Sequence, residues 1–177
     1  YGYSRPRQKE QTRTPLARGT KITPVTELPS YRVLVAVANI NTLPSLIPTA
    51  VAAAKRNDGM VMLLNVIPVP GLTPISRGRE FVEDENRALI TRAKEMIGDA
   101  VLVDEMFRLS HRPSQAIVDT AKEINANLVI MGWSGKGSES ESSIGRNIEQ
   151  IYNTINCEVL TIQTDRLPKD PDYTSAK

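Results

Sequence analysis

Two kinds of apolar texture alternate along the chain. The runs "RVLVAVA" (32–38) and "MVMLLNVIPV" (60–69) are short and nearly continuous, as strands covered on both faces should be. Between them Leu43, Leu46, Ile47, Ala50, Val51 and Ala54 recur at helical spacing, and Asn57, Asp58 and Gly59 stop that helix. After the connection "PVPGLTPISRG" (68–78), Val82, Leu89, Ala93, Met96 and Ile97 share one face of a longer helix. "VDEMFRLS" (103–110) alternates, as an edge strand would. Residues 113–127 read as a helix with Ile117, Thr120, Ala121 and Ile124 inward, and "LVIMG" (128–132) as a buried strand. Ile144, Ile148, Ile151 and Ile155 then stripe a helix over 143–156, and "CEVLTIQ" (157–163) is the last strand. The order βαβαβαβαβ predicts a doubly wound α/β domain with a mostly parallel sheet, whose crevice lies at the carboxyl ends of the strands.

Outside this pattern the chain is polar. Residues 1–29 hold four prolines and no periodicity, which predicts a linker before a domain at 30–166 and a flexible tail at 167–177. That linker carries six basic and two acidic residues, so the other 148 residues, with 16 basic and 18 acidic, have a net charge of −2 behind the overall +2. The basicity belongs to the linker, and with few aromatics besides, nucleic acid is not an expected partner. Cys157 is the single cysteine, which excludes an internal disulfide and a cysteine-based metal site. No run approaches the roughly 20 apolar residues of a membrane span.

The candidate chemistry lies in "GWSGKGSESESSIGRN" (132–147), between the strand 128–132 and the helix that follows. A strand end leading through a glycine-rich turn into a helix gathers unpaired backbone N–H groups and the positive end of a helix dipole, which suits phosphate. Gly132, Gly135 and Gly145 are spaced Gly-x2-Gly-x9-Gly, which is neither the P-loop nor the dinucleotide fingerprint. The spacing, placed at the fourth strand end of a five-strand pattern, resembles the nucleotide-binding loop of the universal stress protein family. The resemblance covers about residues 31–163 and is sharpest in "VIMGWSG" and Gly145. It implies a five-stranded parallel sheet of order 3-2-1-4-5, a homodimer formed through the last strand, and ATP, AMP or a cyclic dinucleotide held between the first and fourth strand ends. The family's phosphate and ribose contacts then fall on Gly132, Gly135 and Gly145, with Val66 or Ile67 near the base, and Trp133, Ser134, Arg146, Asn147 and, at the first strand end, Asn39 are further candidate nucleotide-binding residues.

Two departures from the family pattern stand out. Arg146 occupies the place of a Ser or Thr, and Ala38 that of an acidic residue, in "VAVANI" where the family has a pattern like "VAVDGS". Arg146 supplies a bidentate phosphate donor in place of a hydroxyl. Glu139 and Glu141 oppose a triphosphate if they lie within a Debye length of about 8 Å. A loop that keeps its shape without a ligand therefore stands beside a functional nucleotide site.

The remaining candidates carry less. His111, the single histidine, sits before a helix and has no argued nucleophile, so no triad is proposed. Trp133 either stacks on a base or packs on the neighbouring helix. Ser138, Ser140, Ser142 and Ser143 read as a solvated loop, and Glu80, Glu83, Asp84 and Glu85 as the first turn of a helix, so no metal is expected.

"YGYSRPRQKEQTRTP" has the form of a segment following a membrane span, with interfacial tyrosines and a basic cluster held on the cytoplasmic side. "RVLVAVAN", "TPISRGREFVEDENRALITRA" and "VIMGWSG" resemble the stress-protein domains attached to the carboxyl end of amino-acid permease-type transporters. With a first residue other than Met, the expectation is a non-catalytic regulatory domain on the cytoplasmic side of the membrane, preceded by a transporter domain. The alternatives are a ligand-free dimerisation module, a free-standing stress protein and, last, an ATP hydrolase, for which no positioned base is read.

Overall fold

The structure is a computed structural model that describes residues 28–76, 84–133 and 149–163. Strands β1 (Arg32–Ala36), β2 (Met60–Pro68), β3 (Leu102–Ser110), β4 (Leu128–Trp133) and β5 (Glu158–Gln163) form one parallel sheet in the order β3-β2-β1-β4-β5. Helices α1 (Leu43–Arg56), α2 (Asp84–Ile97) and α3 (Pro113–Glu123) make three of the crossovers, and residues 149–154 are helical before β5. The expected strand order and all five strands are present, with β3 at an edge as its alternation implied.

Alternation along each strand sorts the core into two layers. Val33, Val35, Val61, Leu63, Leu128 and Ile130 face α1 and α2. Leu34, Met62, Leu64, Val129 and Met131 face α3 and Ile151. Val33, Leu34 and Val35 are consecutive and all 0% exposed, because β1 is central and covered on both faces. Each such side chain contributes on the order of 1.5–3 kcal/mol by leaving water.

Element ends differ from the periodicity in informative ways. The helices α1, α2 and α3 are each followed by a residue in the left-handed region: Asp58 (φ 48), Gly98 (φ 53) and Asn125 (φ 50). Closing bonds run from Gly59 N–H to the Ala54 carbonyl (2.8 Å) and from Ala126 N–H to the Ala121 carbonyl (2.8 Å). Asp58, not Gly59, therefore makes the turn after α1. Gly59 is required for another reason: a Cβ there would lie 2.5 Å from the Tyr31 carbonyl oxygen.

Helix α3 ends at Glu123 rather than 127, since Asn125 turns the chain and Asn127 is drawn into β1. There Asn127 Oδ1 accepts from Arg32 N–H at 2.9 Å, and Arg32 Nη1 donates to the Ile124 carbonyl at 2.6 Å. The inward stripe of α3 is rotated from the expected one: Ser114, Val118, Thr120 and Ala121 are buried, while Ile117 and Ile124 are half-buried. β1 stops at Ala36 instead of 38, although Val37 N–H still donates to the Leu64 carbonyl at 2.9 Å. Val51 on α1 is half-buried, and β2 ends at Pro68. Val82, Ile144, Ile148 and the segments 1–27 and 167–177 lie outside the described residues.

Candidate functional site

The carboxyl ends of β4, β1 and β2 lie side by side, in that order, at the parallel-strand spacing of about 4.8 Å. At the end of β1 the chain leaves the sheet through Val37 and Ala38 into a one-turn 3-10 helix, Ile40–Thr42. Ala38, Asn39, Ile40 and Asn41 are exposed there, whereas Val37 is 1% exposed. Asn39 caps that turn, its Oδ1 accepting from Asn41 N–H at 2.9 Å, while its carbonyl accepts from Thr42 N–H (3.1 Å) and Thr42 Oγ1 (2.7 Å). Its side-chain oxygen is thus committed to the backbone, as a short amide before a helix favours.

Of the two residues considered for the base, Val66 packs against the α3-side layer, on the face shared by Leu64 and Met131. Ile67 is buried at 5% exposure and alternates to the opposite face. Val66, only half-buried, is the more accessible of the two. Gly132 is half-buried and ends β4 with Trp133, paired to Ile162 and Gln163 of β5. Ser134, Gly135, Gly145, Arg146 and Asn147 lie outside the described residues.

The universal stress protein family profile matches residues 30–163. The chain belongs to the universal stress protein family. A relative from Staphylococcus aureus (strain USA300), named for the same family, is 30% identical over 131 residues, spanning 68% of this chain and 76% of its own. Among solved structures, a universal stress protein in complex with cAMP shares 16% identity and a TM-score of 0.57 over 76% of this chain and 97% of its own. One from Archaeoglobus fulgidus in complex with dAMP shares 19% identity and a TM-score of 0.56, covering 75% and 97%. One from Arabidopsis thaliana with AMP bound shares 14% identity and a TM-score of 0.53, covering 81% and 97%. At these identities the likeness is one of fold, and the stress-protein sheet is what the chain shares with them.

One polar residue near the crevice was not singled out by sequence. Asn65 on β2 is 3% exposed, and its Nδ2 donates to the Val37 carbonyl at 2.9 Å, while its Oδ1 has no partner among the described residues. It ties β2 to the point where β1 leaves the sheet. Its register partner is Phe107, and its face is that of Leu63, opposite Val66. The only signal for it was a polar residue inside the apolar run 60–69, which periodicity treats as noise.

His111 is held structurally: its Nδ1 lies 2.9 Å from the Val69 carbonyl oxygen, to which it donates. Among the described residues no group of three or more His, Cys, Asp or Glu is placed to hold a metal, and no helix is long and apolar enough to cross a membrane. Cys157 lies at the far, amino end of the strands, in a shallow depression with Tyr31, Asn57 and Asn127. Burial, and secondarily the charge of Glu158, pushes its thiol above the ordinary value.

Proposed function

We propose that this stress-protein domain is a non-catalytic sensory module that holds an adenine nucleotide or a cyclic dinucleotide across the carboxyl ends of β4, β1 and β2. The observation that carries the reading is the adjacency of three ends: Gly132 opening the Gly-x2-Gly-x9-Gly loop, exposed Ala38 and Asn39 beside it, and Val66 beyond. Phosphate, sugar and base of one nucleotide follow the same order. That relatives of this fold are seen with AMP, dAMP and cAMP supports it. Calorimetry with ATP, AMP, cAMP and a cyclic di-adenylate is the test, and absence of both heat and thermal shift with all four would sink it. Steady phosphate release from ATP that Gly135→Asp abolishes would overturn the non-catalytic part.

The finer proposal places the domain on the cytoplasmic side of an amino-acid permease-type transporter. It is supported by the basic, proline-containing stretch 1–29 and by "RVLVAVAN" and "VIMGWSG". A reading frame that continues upstream into apolar spans of about 20 residues each is the expected outcome; a start codon immediately upstream would refute it.

A second reading drops the ligand and keeps a homodimer through β5. Two observations favour it: Leu160 on that edge strand is 39% exposed, and Ala38 supplies no carboxylate. Sedimentation at increasing concentration tests it, and a monomer throughout would count against it.

A further inference from the structure

The sheet is notched above its central strand. β1 ends at Ala36, level with Leu64 and Met131. Its neighbours run on, β2 to Pro68 along β3 and β4 to Trp133 along β5. At the root of the notch the backbone had one more rung to make. Val37 N–H already donates to the Leu64 carbonyl at 2.9 Å, and in a parallel ladder the next bond runs from Val66 N–H to the Val37 carbonyl. That carbonyl accepts instead from Asn65 Nδ2 at 2.9 Å, and the β1–β2 register stops at Ala36 and Leu64. A carbonyl can only accept, so the bond identifies the nitrogen of the Asn65 amide.

The side chain thus stands in for a rung, with a longer reach. It holds Val37, at 1% exposure, while the chain beyond turns out of the sheet to exposed Ala38 and Asn39. At the far end of that exit Asn39 Oδ1 accepts from Asn41 N–H at 2.9 Å. Asn65 is itself 3% exposed and shares the face of Leu63, under α1 and α2, so it acts on the strand ends through the backbone.

We propose that Asn65 is a positioning residue for the nucleotide crevice: by taking the Val37 carbonyl away from Val66 N–H, it keeps the notch between β2 and β4 open. The inference rests on the nucleotide reading above. Without the amide the rung closes and draws residues 37 and 38 against β2, and a ligand must break it to enter. One net hydrogen bond set against binding lowers affinity by about fivefold, because only the open fraction of the chain is competent. The fold itself loses little, since a buried amide bond is exchanged for a backbone rung and an apolar side chain.

The test is calorimetry on the whole chain with ATP, AMP, cAMP and a cyclic di-adenylate, beside urea unfolding and amide hydrogen exchange at Val66. Asn65→Val is expected to weaken each nucleotide that the unaltered chain binds by about fivefold, to leave the urea midpoint unchanged or raised, and to slow exchange of Val66 N–H by about tenfold or more. A residue that only supported the fold would lower the midpoint without protecting Val66. Leu63→Ala, on the same strand and face, supplies that comparison, with a lower midpoint and an affinity within about twofold of the unaltered chain. Asn65→Ala, which adds no branched volume to the core, carries the same expectations for affinity and exchange should the valine variant not fold. An affinity within about twofold of the unaltered chain in the folded Asn65 variant, or an affinity loss without slower exchange at Val66, would overturn the inference while leaving the nucleotide reading intact. Silence from all four ligands in the unaltered chain would overturn both.

Discussion

Replacing Gly59 by Ala tests how the turn between α1 and β2 is built. The added Cβ would stand 2.5 Å from the Tyr31 carbonyl oxygen and 3.1 Å from the Tyr31 Cβ. Both are parts of the chain immediately before the central strand, and neither can swing away as a side-chain tip can. The same carbonyl accepts from Met60 N–H at 2.9 Å, which starts the β1–β2 pairing. Relief of the clash requires a shift of roughly 0.7 Å or more, which strains the chain and stretches that bond. Overpacking costs about 1–3 kcal/mol and a lost hydrogen bond about 0.5–1.5, so a destabilisation of roughly 2–4 kcal/mol is expected. Urea unfolding followed by circular dichroism should show a lower midpoint at unchanged slope. Asp58→Gly, one residue away, should act oppositely and stabilise by about 0.5–1 kcal/mol, because Asp58 sits at φ 48, where glycine has no Cβ penalty, less the extra freedom glycine gives the unfolded chain. A loss below about 0.5 kcal/mol for Gly59→Ala, or a larger loss for Asp58→Gly than for Gly59→Ala, would refute this account of the turn.

Leu63→Ala on β2, at 0% exposure between α1 and the sheet, should cost about 2–5 kcal/mol in the same urea assay. Iodoacetamide should alkylate Cys157 at pH 8 more slowly in the folded chain than in 8 M urea (about the usual denaturing strength), because burial holds the thiol in its neutral form. The same raised value has a sign for stability: the contribution is fully present below the thiol's unfolded value and is lost as pH rises through the folded one, so Cys157→Ser should flatten the alkaline fall of the unfolding midpoint. Leu160→Lys on β5 should weaken any self-association seen by sedimentation by about tenfold or more while leaving the thermal midpoint nearly unchanged, since the residue is 39% exposed.

The crevice shows where local pattern stops being informative. That "LVIM" forms a buried strand was legible, because a short continuous apolar run bounded by glycine has few other uses, although β4 continues through Gly132 to Trp133 instead of stopping at 132. Asn39 was equally visible as a residue, but its role as a cap depends on the 3-10 turn that α1 imposes after β1. Val66 and Ile67 are adjacent and both apolar, and only the pleat of a sheet with helices on both faces puts Val66, half-buried, on the α3 side and Ile67, buried, on the other. Asn65 was hidden for a similar reason. Its partner, Val37, is 28 residues away, so neighbouring residues say nothing about it.

The amino-acid sequence by itself determined the element order, the parallel sheet and the inward face of α1, because hydrophobic period is set by short-range chain geometry. The tertiary structure alone decided that Asp58 makes the turn while Gly59 clears Tyr31, that Val118 rather than Ile117 is the buried centre of α3, and that Asn65 donates to the Val37 carbonyl at the end of β1. Each of these depends on which atoms are brought together across the sheet, and that proximity is a property of the packed layers rather than of any segment within them.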